Sequence, residues 1–139
     1  VPIIGTVGAG AQVVPVDDLP LIPKLIADTE REYINCEWVD APPGVADEGI
    51  VALKIKGDSM MPYMRDGSIV YYSDRFLGGA PDQCLDRLCV VQIGDGATFV
   101  KIVERSQLHG KFDLKSYNFH TMRDVTLAWC APVIFIKPA

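Results

Sequence analysis

The chain has 139 residues, a common size for a single domain and long enough to bury a core of its own. Thirteen basic against eighteen acidic residues leave a net charge of −5, which argues against unaided binding to nucleic acid or to an anionic membrane surface. No apolar run approaches the roughly 20 residues that span a bilayer, and no basic segment followed by a hydrophobic stretch opens the chain, so a transmembrane or secreted reading has no support.

Val1 to Val16 is apolar and glycine-rich. Gly5, Gly8 and Gly10 argue against a helix and weaken any strand in a sheet interior, so residues 1–16 read as an extended, adaptable arm ahead of a domain spanning residues 17–139. Pro23 to Tyr33 carries a weak helical period through Ile22, Leu25 and Ile26. Ile34, Cys36 and Trp38 alternate as a strand would, with Trp38 expected in the core and, as the alternative, Trp38 or the Ile34 to Val39 segment shaping dimer or arm contacts. Ala41-Pro42-Pro43-Gly44 marks a turn. Val51, Leu53 and Ile55 then alternate with Ala52, Lys54 and Lys56, a half-buried strand that delivers the chain to Gly57-Asp58-Ser59. Tyr63 to Gly67 is a turn and Ser68 to Tyr72 the next strand. Leu88 to Ile93 and Ala97 to Val103 are strands joined by Gly94-Asp95-Gly96, whose Asp-Gly pair is a hairpin signal. Phe112 to Ser116 and Val125 to Ile136, the latter broken at Pro132, complete a β-rich second half.

The cysteines, Cys36, Cys84, Cys89 and Cys130, form no CxxC pair, and His109 and His120 lie far from any ligand cluster, so neither zinc nor another cofactor is expected. Cysteines flanked by apolar residues, as in Leu88-Cys89-Val90, read as small reduced core residues in a cytoplasmic protein.

Chemistry concentrates in Lys56-Gly57-Asp58-Ser59-Met60-Met61-Pro62 and in Lys101, which interrupts the apolar run Thr98-Phe99-Val100-Lys101-Ile102-Val103. A serine hydroxyl attacks a carbonyl only when a base removes its proton as the bond forms. Lysine serves as that base only when neutral. From a reference pKa of about 10.4, roughly one lysine in 2,500 is neutral at pH 7, so the side chain must be desolvated. Phe99 and Val103 share the face of Lys101 in an extended strand and supply apolar surroundings. Ser59 is thus the candidate nucleophile and Lys101 the candidate general base. The backbone N–H groups of Asp58 and Ser59 are the candidate oxyanion donors at the strand-end turn.

Gly57-Asp58-Ser59-Met60, the downstream Phe99-Val100-Lys101-Ile102-Val103 strand and Val7-Gly8-Ala9-Gly10 together resemble the LexA/phage-repressor family of self-cleaving Ser/Lys peptidases, in order and spacing across nearly the whole chain. Phe112 to Asn118 is similar to that family's strand and asparagine-bearing turn after the lysine. The resemblance implies a mainly β fold of strongly bent, partly barrel-like sheets with little helix. It also implies a peptidase domain that cuts its own arm, here between Ala9 and Gly10, and that dimerises. A RecA filament on single-stranded DNA would be the co-protease, and DNA would be bound only through an N-terminal domain that Val1, standing where a methionine would begin a whole protein, leads us to expect upstream. Gly10 and Ser59 stand farther apart than in LexA itself, the extra length lying between Asp17 and Glu48, which looks closer to phage-type repressors.

Two other classes stay open. Ser59-Met60-Met61-Pro62 also resembles the Ser-Met-x-Pro string of type I signal peptidases, which use a lysine base on a related fold but carry a membrane anchor. A non-cleaving dimerisation domain or a UmuD-like polymerase accessory would use the same fold as a binding module.

Overall fold

The computed structural model describes residues 1–15, 37–45, 49–58, 60–73, 81–116 and 120–139; of Ala9 and Pro81 only the backbone is described. The expected helix at Pro23 to Tyr33, and Ile34 and Cys36, lie outside the described residues. Eleven strands are present among those described: β1 (Pro2–Val7), β2 (Val13–Pro15), β3 (Glu37–Trp38), β4 (Ile50–Ile55), β5 (Ile69–Ser73), β6 (Arg87–Ile93), β7 (Thr98–Arg105), β8 (Phe112–Lys115), β9 (Met122–Val125), β10 (Leu127–Pro132) and β11 (Phe135–Lys137). Helix is confined there to two short 3-10 turns, Ala9–Ala11 and Pro81–Gln83. None is long and apolar enough to cross a membrane.

The strands form two sheets, neither closed into a barrel. A six-stranded sheet runs β11-β5-β4-β1-β2, with β3 also on β1, and a five-stranded sheet runs β10-β6-β7-β8-β9. Every pairing is antiparallel except β1 with β4. The fold is therefore mainly β with little helix, as expected.

Period-two alternation sorts side chains into layers. Ile4, Val7, Val51, Leu53, Ile55, Val70 and Tyr72 of the larger sheet pack against Val90, Val100, Trp129 and Ala131 of the smaller one. Tyr72 and Trp129 stack across this layer with ring centres 6.4 Å apart. The other face of the smaller sheet buries Cys84, Cys89, Val91, Val103, Phe112, Leu114 and Cys130, the three thiols free. A third cluster, Val1, Ile3, Ala52, Ile69 and Tyr71, lies on the outer face of the larger sheet.

The strand readings from Val51 to Ser116 hold to within about two residues. The Gly94-Asp95-Gly96 hairpin closes through Ile93 N–H to Ala97 O at 3.0 Å, with Gly96 at φ 96°. Three expectations need correction. The opening segment, expected as an extended, adaptable arm whose glycines weaken any inner strand, is extended but forms one: β1 lies inside the larger sheet, with β4 along one edge and β2 and β3 sharing the other. Its apolar residues outweigh its glycines, and Ile3, Ile4 and Val7 are all buried. Trp38 is 61% exposed on the two-residue β3 rather than in the core. The stretch expected as one broken strand after Val125 becomes β10 and β11, which belong to different sheets. Pro132 and Val133 are where the chain crosses over, and Ile134 N–H then donates to Tyr71 O at 2.9 Å. The hairpin strand β9 has no counterpart in the sequence reading, because Met122-Arg123-Asp124-Val125 offers little alternation.

Candidate active site

Strand geometry puts Lys101 on the face of Phe99 and Val103, and cross-strand pairing places Cys89 of β6 opposite it. Lys101 is 2% exposed. Its Nζ lies 5.5 Å from the centre of the Phe99 ring and donates a hydrogen bond to Ser116 Oγ. Among the described residues no carboxylate forms an ion pair with it. Burial pulls its pKa below the ordinary lysine value, because the ammonium loses hydration that the neutral amine does not need.

The turn after β1 reaches the same strand. β8 lines β7 from Arg105 back to Ile102 and ends there, while Gln12 forms an antiparallel bridge with Phe99. Lys101 stands where the edge of β7 passes from β8 to the turn. That turn is closed by Gly8 N–H to Gln12 O and by Ala11 N–H to Gly8 O, each 3.0 Å. Gly10 (φ 68°) and Ala11 (φ 59°) both take left-handed backbone, which glycine adopts freely and which strains alanine by roughly 1–2 kcal/mol. The Ala9–Gly10 bond thus sits at the tip of the β1–β2 hairpin, packed on β7.

The end of β4 is the third approach. Lys56 N–H donates to Val7 O at 2.8 Å, carrying the β1–β4 ladder one residue beyond the strand. Gly57 (φ 82°) makes the bend, its N–H held by Asp66 Oδ1 at 2.8 Å. Asp58 O accepts from Met61 N–H at 3.0 Å, and Met60 and Met64 are buried in the cluster that also holds Ala11 and Val100. Both flanks of position 59 are therefore anchored beside the turn and beside β7. Ser59 itself lies outside the described residues, as does Asn118.

A family model described as Peptidase S24-like matches residues 2–133. The chain belongs to that family. No curated protein matches it. S24-like domains are the peptidase domains of LexA, UmuD and phage repressors, so the likeness carried by the Ser59 string, the Lys101 strand and the Ala9–Gly10 arm holds at the level of the family. The S24-like family also contains members that do not cleave. Membership therefore supports a LexA-like peptidase domain without establishing that this chain cleaves itself.

Within this S24-like domain, the sequence reading did not single out the hydroxyl partner of Lys101. The signal was nonetheless present: β7 and β8 pair with Ile102 opposite Lys115, and one further step puts Ser116 opposite Lys101. Reading the strands as a registered pair rather than singly would have found it.

Proposed function

We propose that the chain is the self-cleaving serine peptidase domain of a bacterial or phage transcriptional repressor, cutting its own Ala9–Gly10 bond with Ser59 as nucleophile and Lys101 as general base. One observation carries this reading: a buried lysine with a lowered pKa stands beside the point where the Ala9–Gly10 turn is bridged to its strand. Lys101 Nζ takes the proton of Ser59 Oγ as that oxygen attacks the Ala9 carbonyl carbon. The N–H groups of Asp58 and Ser59 receive the oxyanion. Collapse expels the Gly10 amine, which takes the proton back from Lys101 and leaves Ala9 as an ester on Ser59. Water, deprotonated in turn by Lys101, releases it. Because the scissile bond is tethered in the same chain, proximity replaces much of the binding energy that a separate substrate would have to supply.

The wider setting belongs to the same proposal: a cytoplasmic homodimer, induced by a RecA filament acting as co-protease, with DNA bound through an N-terminal domain. Denaturing intact-mass spectrometry between pH 7 and 10, with Ser59→Ala and Lys101→Ala controls, tests the core of it. A new N-terminus at Gly10, formed faster as pH rises towards the pKa of Lys101 and absent in both controls, supports self-cleavage. No cleavage at any pH, even with RecA filaments added, overturns it and leaves a non-cleaving binding domain.

A further inference from the structure

A neutral lysine is a poorly directed base. Its amine carries two N–H groups and one lone pair at the end of a four-carbon stem, and the lone pair must point at the hydroxyl it deprotonates. Something has to fix that direction without charging the amine. A carboxylate partner would fix it, but would also favour the ammonium and raise the pKa. A hydroxyl oxygen accepts an N–H and carries no net charge.

From these surroundings we infer that Ser116 is the positioning residue for Lys101, aiming the lone pair of its amine at the nucleophile while leaving the amine free to be neutral. The inference rests on the Ser/Lys reading above. Ser116 follows the last residue of β8 and comes opposite Lys101 in the β7–β8 register, where its Oγ accepts the N–H of Nζ. The Phe99 ring centre lies 5.5 Å from Nζ. The hydrogen bond to Ser116 fixes one N–H direction of the nitrogen, and with it the arc open to the lone pair.

The elements packed around Lys101 offer few competing charges. β6 presents the Cys89 thiol directly across, and β8 carries Lys115 and Asp113, which pair with Glu104 and Arg123 instead. The end of β4 brings Lys56 and Asp58, and the turn from Ala9 to Gln12 has no titratable side chain. When Lys101 takes the proton of Ser59 and becomes an ammonium, Ser116 Oγ still accepts one of its N–H groups. Ser116 neither gains nor loses a proton, and nothing has to reorganise around it during the step.

The experiment uses the whole chain as wild type and as Ser116→Ala, Ser116→Thr and Ser116→Asp. Two quantities are read from pH 6 to 11: the cleavage rate by denaturing mass spectrometry, and the midpoint of the Lys101 Cε titration by carbon NMR of lysine-labelled protein. Ser116→Ala should lower the plateau rate by up to about 100-fold, the loss that a misplacement of roughly 1 Å can cause. Ser116→Thr, which keeps the hydroxyl, should stay within about threefold of wild type by the same reasoning. Ser116→Asp should move both the rate profile and the Cε midpoint to higher pH by about one unit or more, as a carboxylate beside an ammonium does. Wild-type rate and profile in Ser116→Ala would overturn the positioning role and leave the self-cleavage reading standing. If wild type does not cleave, the self-cleavage reading falls and the titration decides the contact. A raised midpoint in Ser116→Asp then supports the hold of Ser116 on the amine, and equal midpoints in all four proteins overturn it.

Discussion

Gly5 offers a direct test of whether the opening segment is built into the sheet. It lies in the middle of β1, paired with Pro15 on one side and Leu53 on the other. A Cβ at this position would meet Val14 O at 3.0 Å, Leu53 Cδ2 at 3.1 Å and Val13 Cγ1 at 3.1 Å. The first of these is backbone and cannot swing away, so Gly5→Ala forces β2 outward or distorts β1. Overpacking of this kind costs about 1–3 kcal/mol. Restricting the unfolded chain by replacing glycine with alanine returns about 0.4–1 kcal/mol. The net loss is then about 0–2.6 kcal/mol, centred on about 1.3 kcal/mol, which at about 3 °C per kcal/mol for a chain of this size lowers Tm by roughly 4 °C. Gly8→Ala is the control, since a Cβ at position 8 meets nothing within 4 Å, and its Tm should be unchanged or slightly raised. Thermal unfolding followed by circular dichroism measures both. If Gly5→Ala melts together with Gly8→Ala, β1 is not wedged between β2 and β4 and the packing argument is wrong.

Lys101→Met should be more stable than wild type at neutral pH, by an amount that shrinks as pH rises. The native pKa of Lys101 lies below its unfolded value of about 10.4, so between the two the unfolded state holds more protons and wild-type stability climbs with pH. Below the native pKa the penalty is constant, and above about 10.4 it is gone. Paired urea titrations at neutral and strongly alkaline pH read the difference, and a gap that ignores pH rules out a desolvated ammonium. Trp38 is exposed and Trp129 is 6% exposed against Tyr72, so Trp38→Phe should leave one blue-shifted emission that iodide barely quenches. Quenching equal to wild type would contradict these placements. Cys84, Cys89 and Cys130 are buried; hydrogen bonding to Cys84 together with burial pushes the Cys89 and Cys130 thiols up, while the hydrogen bonds from Cys130 and Cys89 pull Cys84 down to about 4, so that burial alone shields Cys84. In a Cys36→Ser background these three should resist an aromatic disulfide reagent until the protein is unfolded, whereas rapid labelling of the native protein would show the cluster to be open.

What could be read from the sequence was local. Alternation in Val51 to Ile55 and in Thr98 to Val103, together with the Gly94-Asp95-Gly96 turn, depends on neighbours a few residues away, and the structure keeps those elements nearly as read. Lys101 was legible as a candidate base for the same reason, since strand geometry alone gives it Phe99 and Val103 as companions. Non-local pairings were not legible. β1 becomes an inner strand only because β4, some fifty residues later, runs parallel to it, and nothing in Val1 to Val16 announces that partner. Trp38 looked like core because aromatic residues mostly are, but both residues of β3 are exposed where it pairs with β1. Ser116 needed the β7–β8 register, which is a property of two strands together.

The parallel seam between β1 and β4 has a consequence for how a cut in this chain would be noticed. A break between Ala9 and Gly10 severs the hairpin at its tip, yet Pro2 to Val7 stays paired with β4 on one side and with β2 and β3 on the other. Ile3, Ile4 and Val7 would still be held in the packed interior. The N-terminal product would persist as a tightly held guest strand, so that only denaturing conditions would part the two pieces. Separation of the two products would then be timed by the escape of that strand from the sheet rather than by bond scission.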